Sequence, residues 1–280
     1  MNAYTNDNMS TIALAQVCAQ ENKAANLEKA FKFIEEAAEA GADIIAFPES
    51  FLLIGKKSAD YLENLESLDG PLISSFKAKA KECNISLLLG GMITLNPEAP
   101  LKPFNTAVLI DRDGQLAGKY NKIHLFNSAI PNLGLCESKT VSAGNEVVVA
   151  DHTLGKIGLS ICYDVRFPSL FQKLREKGAE MIFVPAAFTT QTGKYHWHSL
   201  LKARAIETQC YVFAPAQVGQ HNQKRNSYGH TVAFDPWGEM IGELSEGEGL
   251  LIVEMDPEKT NLIRKEMPIF DHRLKGVDYE

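Results

Sequence analysis

Short apolar runs alternate with segments of helical period along the whole chain, and this alternation restricts the fold more than any other feature. IALAQV (12–17) reads as a strand. Residues 22–40 place Leu27, Ala30, Phe31, Ile34, Ala37 and Ala38 on one helical face, with Gly41 as a stop signal. IIAFPE (44–49) is a short buried strand ending on a carboxylate. A second helical pattern covers 71–83, and SLLLGGMI and TAVLIDRDG follow as strands, with DRDG turning the chain toward KYNKIH. The second half repeats the scheme. VVVADHTLGKIGLSIC predicts a hairpin, 168–177 a helix with Gly178 behind it, and MIFV a strand. Trp197, Leu200, Leu201, Ala205 and Ile206 mark the buried face of another helix before YVFAPAQV. HTVAFDPWGEMIGEL reads as a hairpin around DPWG, and Asp256 and Pro257 as the N-cap and first position of a last short helix.

Alternating elements favour an α/β fold, and the hairpins call for mixed sheets, not purely parallel ones. About ten strands suggest two sheets, each covered by helices. No linker or low-complexity stretch interrupts the pattern, so residues 10–280 are expected to form one domain behind a loose polar tail, MNAYTNDNM (1–9). A net charge of −7 argues against a nucleic-acid partner, and an anionic substrate would need a local cluster of positive charge. No apolar run approaches the roughly 18 residues of a membrane span, and no basic-plus-apolar leader is visible, so neither a membrane nor secretion is expected. Five cysteines (Cys18, Cys83, Cys136, Cys162, Cys210) lack CxxC spacing; an odd, scattered set fits a reducing cytoplasm.

Three apolar runs end in a functional side chain: IIAFPE at Glu49, YNKIHL at Lys122 and GLSIC at Cys162. Strand ends of α/β sheets are where sites gather, because the scaffold fixes the backbone while the loops leave side chains accessible. Taken singly, each has an ordinary reading. A buried cysteine is usually an inert hydrophobe, Glu49 a solvated carboxylate and Lys122 a surface cation. Together the chemistry is complete: a thiol nucleophile, a carboxylate to take its proton and an ammonium to face a negative intermediate. Sign matters. A carboxylate beside Cys162 raises the thiol pKa, so the pair makes electrostatic sense only with a cation in the same pocket.

FPE with Glu49, YNKIHLF with Lys122 and GLSICYDVRFP with Cys162 resemble the signature blocks of the nitrilase superfamily of carbon–nitrogen hydrolases, a likeness that runs from IALAQ to the C-terminal MPIFDHRLKGVDYE. CESKT (136–140) and residues 187–239 are similar to its Nit branch, and ARAIETQCY and KRNSYGH in particular to the deaminated glutathione amidases. The resemblance implies a four-layer αββα sandwich and subunits paired through helices into a homodimer or larger homo-oligomer. It implies Cys162 as nucleophile, Glu49 as general base, and Lys122 with the Tyr163 backbone N–H as oxyanion stabilisers. Glu137 would be a second glutamate beside the lysine, and Phe188 and Thr189 of the AFTTQT stretch would contact substrate. No cofactor and no metal are implied. The activity expected is hydrolysis of deaminated glutathione to 2-oxoglutarate and cysteinylglycine through a cysteine thioester. The alternatives are ω-amidase action on 2-oxoglutaramate or 2-oxosuccinamate, and a catalytically idle oligomeric interaction module, against which the intact trio argues.

Other residues carry plainer expectations. Asp164 and Arg166 are expected to form a structural ion pair. His196 and His198 (HWH) point about 200° apart on a helix and cannot share one ion; the resembled branch usually carries glutamate in the place of His198. His230 is expected to be structural. Lys224 and Arg225 are either solvated charges or contacts for substrate carboxylates.

Overall fold

The structure, a computed structural model, describes residues 9–129 and 136–274. Of the tail expected over 1–9, only Met9 is within the described residues, and it is exposed; the final KGVDYE lies outside them. The first half runs β1 (Ser10–Gln16), α1 (Lys23–Glu39), β2 (Ile44–Ala46), α2 (Ser58–Leu62), α3 (Pro71–Cys83), β3 (Ser86–Thr94), β4 (Phe104–Ile110) and β5 (Leu116–Asn121). The second continues with β6 (Val149–His152), β7 (Gly155–Leu159), α4 (Pro168–Glu176), β8 (Met181–Phe183), α5 (Thr190–Thr208) and β9 (Tyr211–Ala214). A small ribbon, β10 (Val218–Gln220) and β11 (Asn226–Tyr228), precedes β12 (Thr231–Phe234), β13 (Met240–Leu244), β14 (Gly249–Met255) and α6 (Pro257–Glu266).

Two six-stranded mixed sheets result, ordered β14-β1-β2-β3-β4-β5 and β13-β12-β9-β8-β7-β6. Each has a parallel centre, β1-β2-β3 in one and β7-β8-β9 in the other, flanked by antiparallel strands. The period-two alternation of β1 explains the layering. Ile12 and Leu14 face the core between the sheets, whereas Ala13 and Ala15 face α1 and α3. Leu72, Ile73, Phe76 and Ala80 return from α3 onto that outer face, with Phe76 edge-on to Phe31 and Phe51. Leucine, isoleucine and phenylalanine side chains of this kind each contribute roughly 1.5–3 kcal/mol on burial. On the other side α4 and α5 bury Leu170, Phe171, Leu174, Trp197 and Leu201. The order of layers is α-β-β-α, as expected.

Helix starts follow local chemistry. Pro71, Pro168 and Pro257 open α3, α4 and α6, where a missing N–H costs nothing, and Asp256 caps α6 by accepting from Glu258 N–H. Sequence patterning does not reveal α2, the β10–β11 ribbon or β14. The last of these crosses from the second half to pair antiparallel with β1 along its whole length.

Candidate active site

The three strand ends meet. Glu49 lies just past β2, Lys122 directly after β5 and Cys162 just past β7. Lys122 Nζ donates to Glu49 Oε1 at 2.8 Å and to Glu137 Oε2 at 2.8 Å. Asn105, on β4, donates from Nδ2 to Glu49 Oε1 (2.9 Å) and Glu137 Oε1 (3.1 Å), so one amide bridges both acids. The Ala187 N–H donates to Glu49 Oε2 at 3.1 Å, and the Phe126 N–H to Glu137 Oε2 at 2.8 Å.

Room for this cluster comes from a bulge that the sequence pattern hides. SLLLGGMI reads as an unbroken strand, yet β3 shifts register against β4 between Leu89 and Met92. Gly91 has φ +57°, and a Cβ there would stand 2.9 Å from Glu49 Cγ. A Cβ on Gly90 would stand 2.0 Å from the Phe47 carbonyl oxygen and 2.3 Å from Pro185 Cβ. The two glycines thus let the end of β2 and the loop after β8 approach the same point.

Burial by itself would push the Glu49 carboxyl up; the ammonium of Lys122 and the hydrogen bonds to it outweigh that, and the carboxyl is held below its usual range. Lys122 shows the mirror case. Burial would favour its neutral form, but Glu137 and Glu49 reverse the balance and the amine stays protonated. With Lys122 only 2% exposed and the acids 8% and 17%, water screens these charges weakly. Burial raises the Cys162 thiol well above the ordinary value, and the Glu49 charge raises it further against the opposing pull of Lys122. The resting group is a neutral thiol beside an ionised carboxylate, which is the arrangement a general base needs to take a proton during attack.

Cys162 opens a 3-10 turn, Cys162–Arg166, in a left-handed conformation (φ 49°) that costs a non-glycine residue roughly 1–2 kcal/mol. Two contacts hold it. The Cys162 N–H donates to Pro185 O at 2.9 Å, and the Ile161 N–H to Asp164 Oδ2 at 2.9 Å. Asp164 corrects one expectation, because it forms no ion pair with Arg166. Fully buried, it also accepts from Tyr120 OH (2.7 Å) and from the His124 N–H (3.0 Å), joining the Cys162 turn to the segment that carries Lys122. Arg166 turns instead toward His196 Nδ1 (3.2 Å) and lies over the Phe188 ring.

The remaining predicted residues have definite places. Tyr163 follows Cys162 in the turn. Phe188 is buried against Trp197, and Thr189 stands at the N-cap position of α5 without a side-chain bond to the helix backbone, its hydroxyl 2.8 Å from that of Thr192; both follow Ala187, which touches Glu49. Lys224 is exposed. Arg225 is half-buried and donates to Tyr61 OH at 2.6 Å, and Tyr61 lines a narrow pocket that also includes Ser50 and Gly91. His196 and His198 diverge as expected, and His198 and His230 both meet Glu243. Asn105 escaped sequence reading, since an asparagine at the start of FNTAVLI carries no signal beyond a strand end.

Residues 11–265 match the sequence profile of the carbon–nitrogen hydrolases, and the chain belongs to that family. It is 40% identical over 275 residues to a Dictyostelium discoideum protein named deaminated glutathione amidase, covering 95% of this chain and 94% of that one. The same identity over 268 residues relates it to the nitrilase and fragile histidine triad fusion protein NitFhit of Caenorhabditis elegans, of which the chain spans 61%. The NitFhit crystal structure superposes with a TM-score of 0.88, at 39% identity over 95% of this chain and 65% of the other. Saccharomyces cerevisiae Nit3, a member of branch 10 of the nitrilase superfamily, gives 0.84 at 31% identity, covering 95% and 97% of the two chains.

Proposed function

We propose that this chain is an amidase acting on deaminated glutathione, with Cys162 as nucleophile, Glu49 as general base, and Lys122 and the Tyr163 N–H as oxyanion donors. The observation that carries this reading is the 2.8 Å contact of Lys122 Nζ with Glu49 in a buried cluster that also holds the neutral Cys162 thiol. Relatives that carry the deaminated glutathione amidase name support the substrate.

The cycle balances without a cofactor. Glu49 takes the thiol proton as sulfur attacks the amide carbonyl, and the new negative oxygen faces Lys122. Glu49 then gives the proton to the departing amine, the C–N bond breaks, and cysteinylglycine leaves a thioester on Cys162. Water loses a proton to Glu49 and attacks; the C–S bond breaks, 2-oxoglutarate leaves, and the proton returns to sulfur. Glu137 holds Lys122 from the second side and keeps the ammonium charged through both halves.

Substrate carboxylates would find Arg225 beside the pocket next to Ser50. Offered deaminated glutathione and 2-oxoglutaramate in one coupled assay, the protein is expected to show the higher kcat/KM for the former. Arg225→Ala should raise KM for the anionic amide while sparing kcat. A preference for 2-oxoglutaramate would make it an ω-amidase instead, and unchanged KM would remove Arg225 from substrate binding.

We further propose a homodimer working in the cytoplasm. Ile206, expected on the buried face of α5, is instead exposed and stands beside Gly238, whose chain neighbour Trp237 is also exposed; these two apolar side chains suit a second copy, and all five cysteines are free. Sedimentation equilibrium is expected to return twice the chain mass; a single-chain mass at micromolar protein would end the dimer reading.

A further inference from the structure

His198 on α5, His230 before β12 and Glu243 on β13 bring two imidazole nitrogens and a carboxylate oxygen within 4.8 Å of one another. His198 Nε2 is 2.8 Å and His230 Nδ1 2.6 Å from the same oxygen, Glu243 Oε1. The fold fixes these positions by independent means. Trp197, fully buried next to His198, donates its Nε1–H to the His230 carbonyl at 2.8 Å, which ties helix and loop together at the two histidines. His230 is held in a left-handed conformation (φ 59°) with its ring stacked on Tyr228 at 4.1 Å. Glu243 faces Val232 in the β12–β13 ladder. The side chains of His198, His230 and Glu243 keep 31%, 25% and 26% of their exposure, leaving one side open to water.

We propose that His198, His230 and Glu243 form a binding site for a late first-row divalent metal ion, zinc foremost, distinct from the Glu49–Lys122–Cys162 group. Two imidazoles and one carboxylate with a water in the fourth position make a tetrahedral zinc donor set, whereas magnesium and calcium take oxygen ligands. Zinc bound at about 2.1 Å spaces tetrahedral ligands roughly 3.4 Å apart, so each imidazole–Glu243 contact would lengthen by about 0.6–0.8 Å while the two ring nitrogens, now within 4.8 Å of one another, settle at the same spacing. Each imidazole binds through the nitrogen that now faces Glu243 and carries its single proton on the other. His196 takes no part, since it is turned toward Arg166. Occupied, the site would clamp α5, whose first turn follows Thr189, to β12 and β13.

The test uses the full chain stripped with chelator and titrated calorimetrically with zinc, alongside the absorption spectrum of the cobalt(II) form. One ion per chain is expected, with visible cobalt bands of a nitrogen–oxygen set and no thiolate charge-transfer band. His198→Ala and Glu243→Gln should each weaken zinc binding beyond the roughly 10- to 100-fold typical of losing an outer-shell partner. Zinc should also shield His198 and His230 of the wild type from diethyl pyrocarbonate, a reading that stands even if a variant fails to fold. No binding at millimolar zinc, a thiolate spectrum, undiminished affinity in either folded variant, or unshielded histidines would overturn the site.

Discussion

Replacing Cys162 with alanine is expected to cut amide turnover by at least about 10⁴-fold, the scale on which removal of a nucleophile acts when it works as a unit with its base. The fold should barely notice. The lost atom is one sulfur at a site 8% exposed, and the thiol it carried was already neutral, so no buried charge is uncovered. Alanine inherits the left-handed backbone at the same cost as cysteine, and the bonds that hold it, Cys162 N–H to Pro185 O and Ile161 N–H to Asp164, are unaffected by the truncation. A loss of about 1 kcal/mol would move Tm by roughly 2–4 °C. Mass spectrometry of wild-type protein quenched during turnover should find the acyl adduct on the Cys162 tryptic peptide and none in the variant. Turnover above a hundredth of wild type, or an adduct on another cysteine, would remove Cys162 from the chemistry.

How far the sequence exposes this arrangement depends on the range of the interactions involved. Helices opened by Pro71, Pro168 and Pro257, and β1 with its alternating faces, are dictated by neighbours in the chain, and they appear where local chemistry puts them. By contrast, β14 is defined by a partner at the other end of the chain: Ile252 lies opposite Ala13, and GLLIVEM by itself does not announce which sheet edge it completes. The Gly90–Gly91 bulge looks like strand because its reason is Glu49, more than forty positions away in sequence and next to it in space.

The candidate site divides in the same way. Glu49, Lys122 and Cys162 stand out as reactive groups at strand ends, but only the family resemblance brings them together before coordinates do. Lys122 and Glu49 are separated by 73 residues, and spacing of that length carries no geometry. Asp164 departs from the expected ion pair for a physical reason. Proximity to Arg166 suggested an ion pair, whereas a fully buried carboxylate collects every donor within reach, here Tyr120 OH and the N–H groups of Ile161 and His124. The His198–His230–Glu243 group was invisible because HWH draws attention to the two histidines that diverge.

Lys122→Ala should damage both catalysis and stability, for one electrostatic reason. With the ammonium gone, the charge that faces the tetrahedral oxygen is lost, and kcat should fall at least about 100-fold. The same change leaves Glu49 and Glu137 sharing Asn105 with no cation between them. Breaking a buried pair in this way costs about 3–5 kcal/mol, and a fall in Tm on the order of 10 °C is expected. The acids can relieve the strain only by taking up a proton, which gives the pH profile its sign. In the wild type Glu49 is held below the ordinary glutamate value of about 4.3, so its ionised form and the stability it brings are complete above that pH and are lost as pH falls through the lowered pKa. The acid limb of kcat/KM should therefore lie below about pH 4.3 in wild type and move upward in Lys122→Ala. Adding Glu137→Gln to the variant removes the second negative charge and should recover part of the lost Tm without restoring turnover. Retention of more than about a tenth of wild-type kcat would refute the oxyanion role, since a lost donor costs more than that. An unchanged Tm would refute the charge balance on which the buried cluster rests.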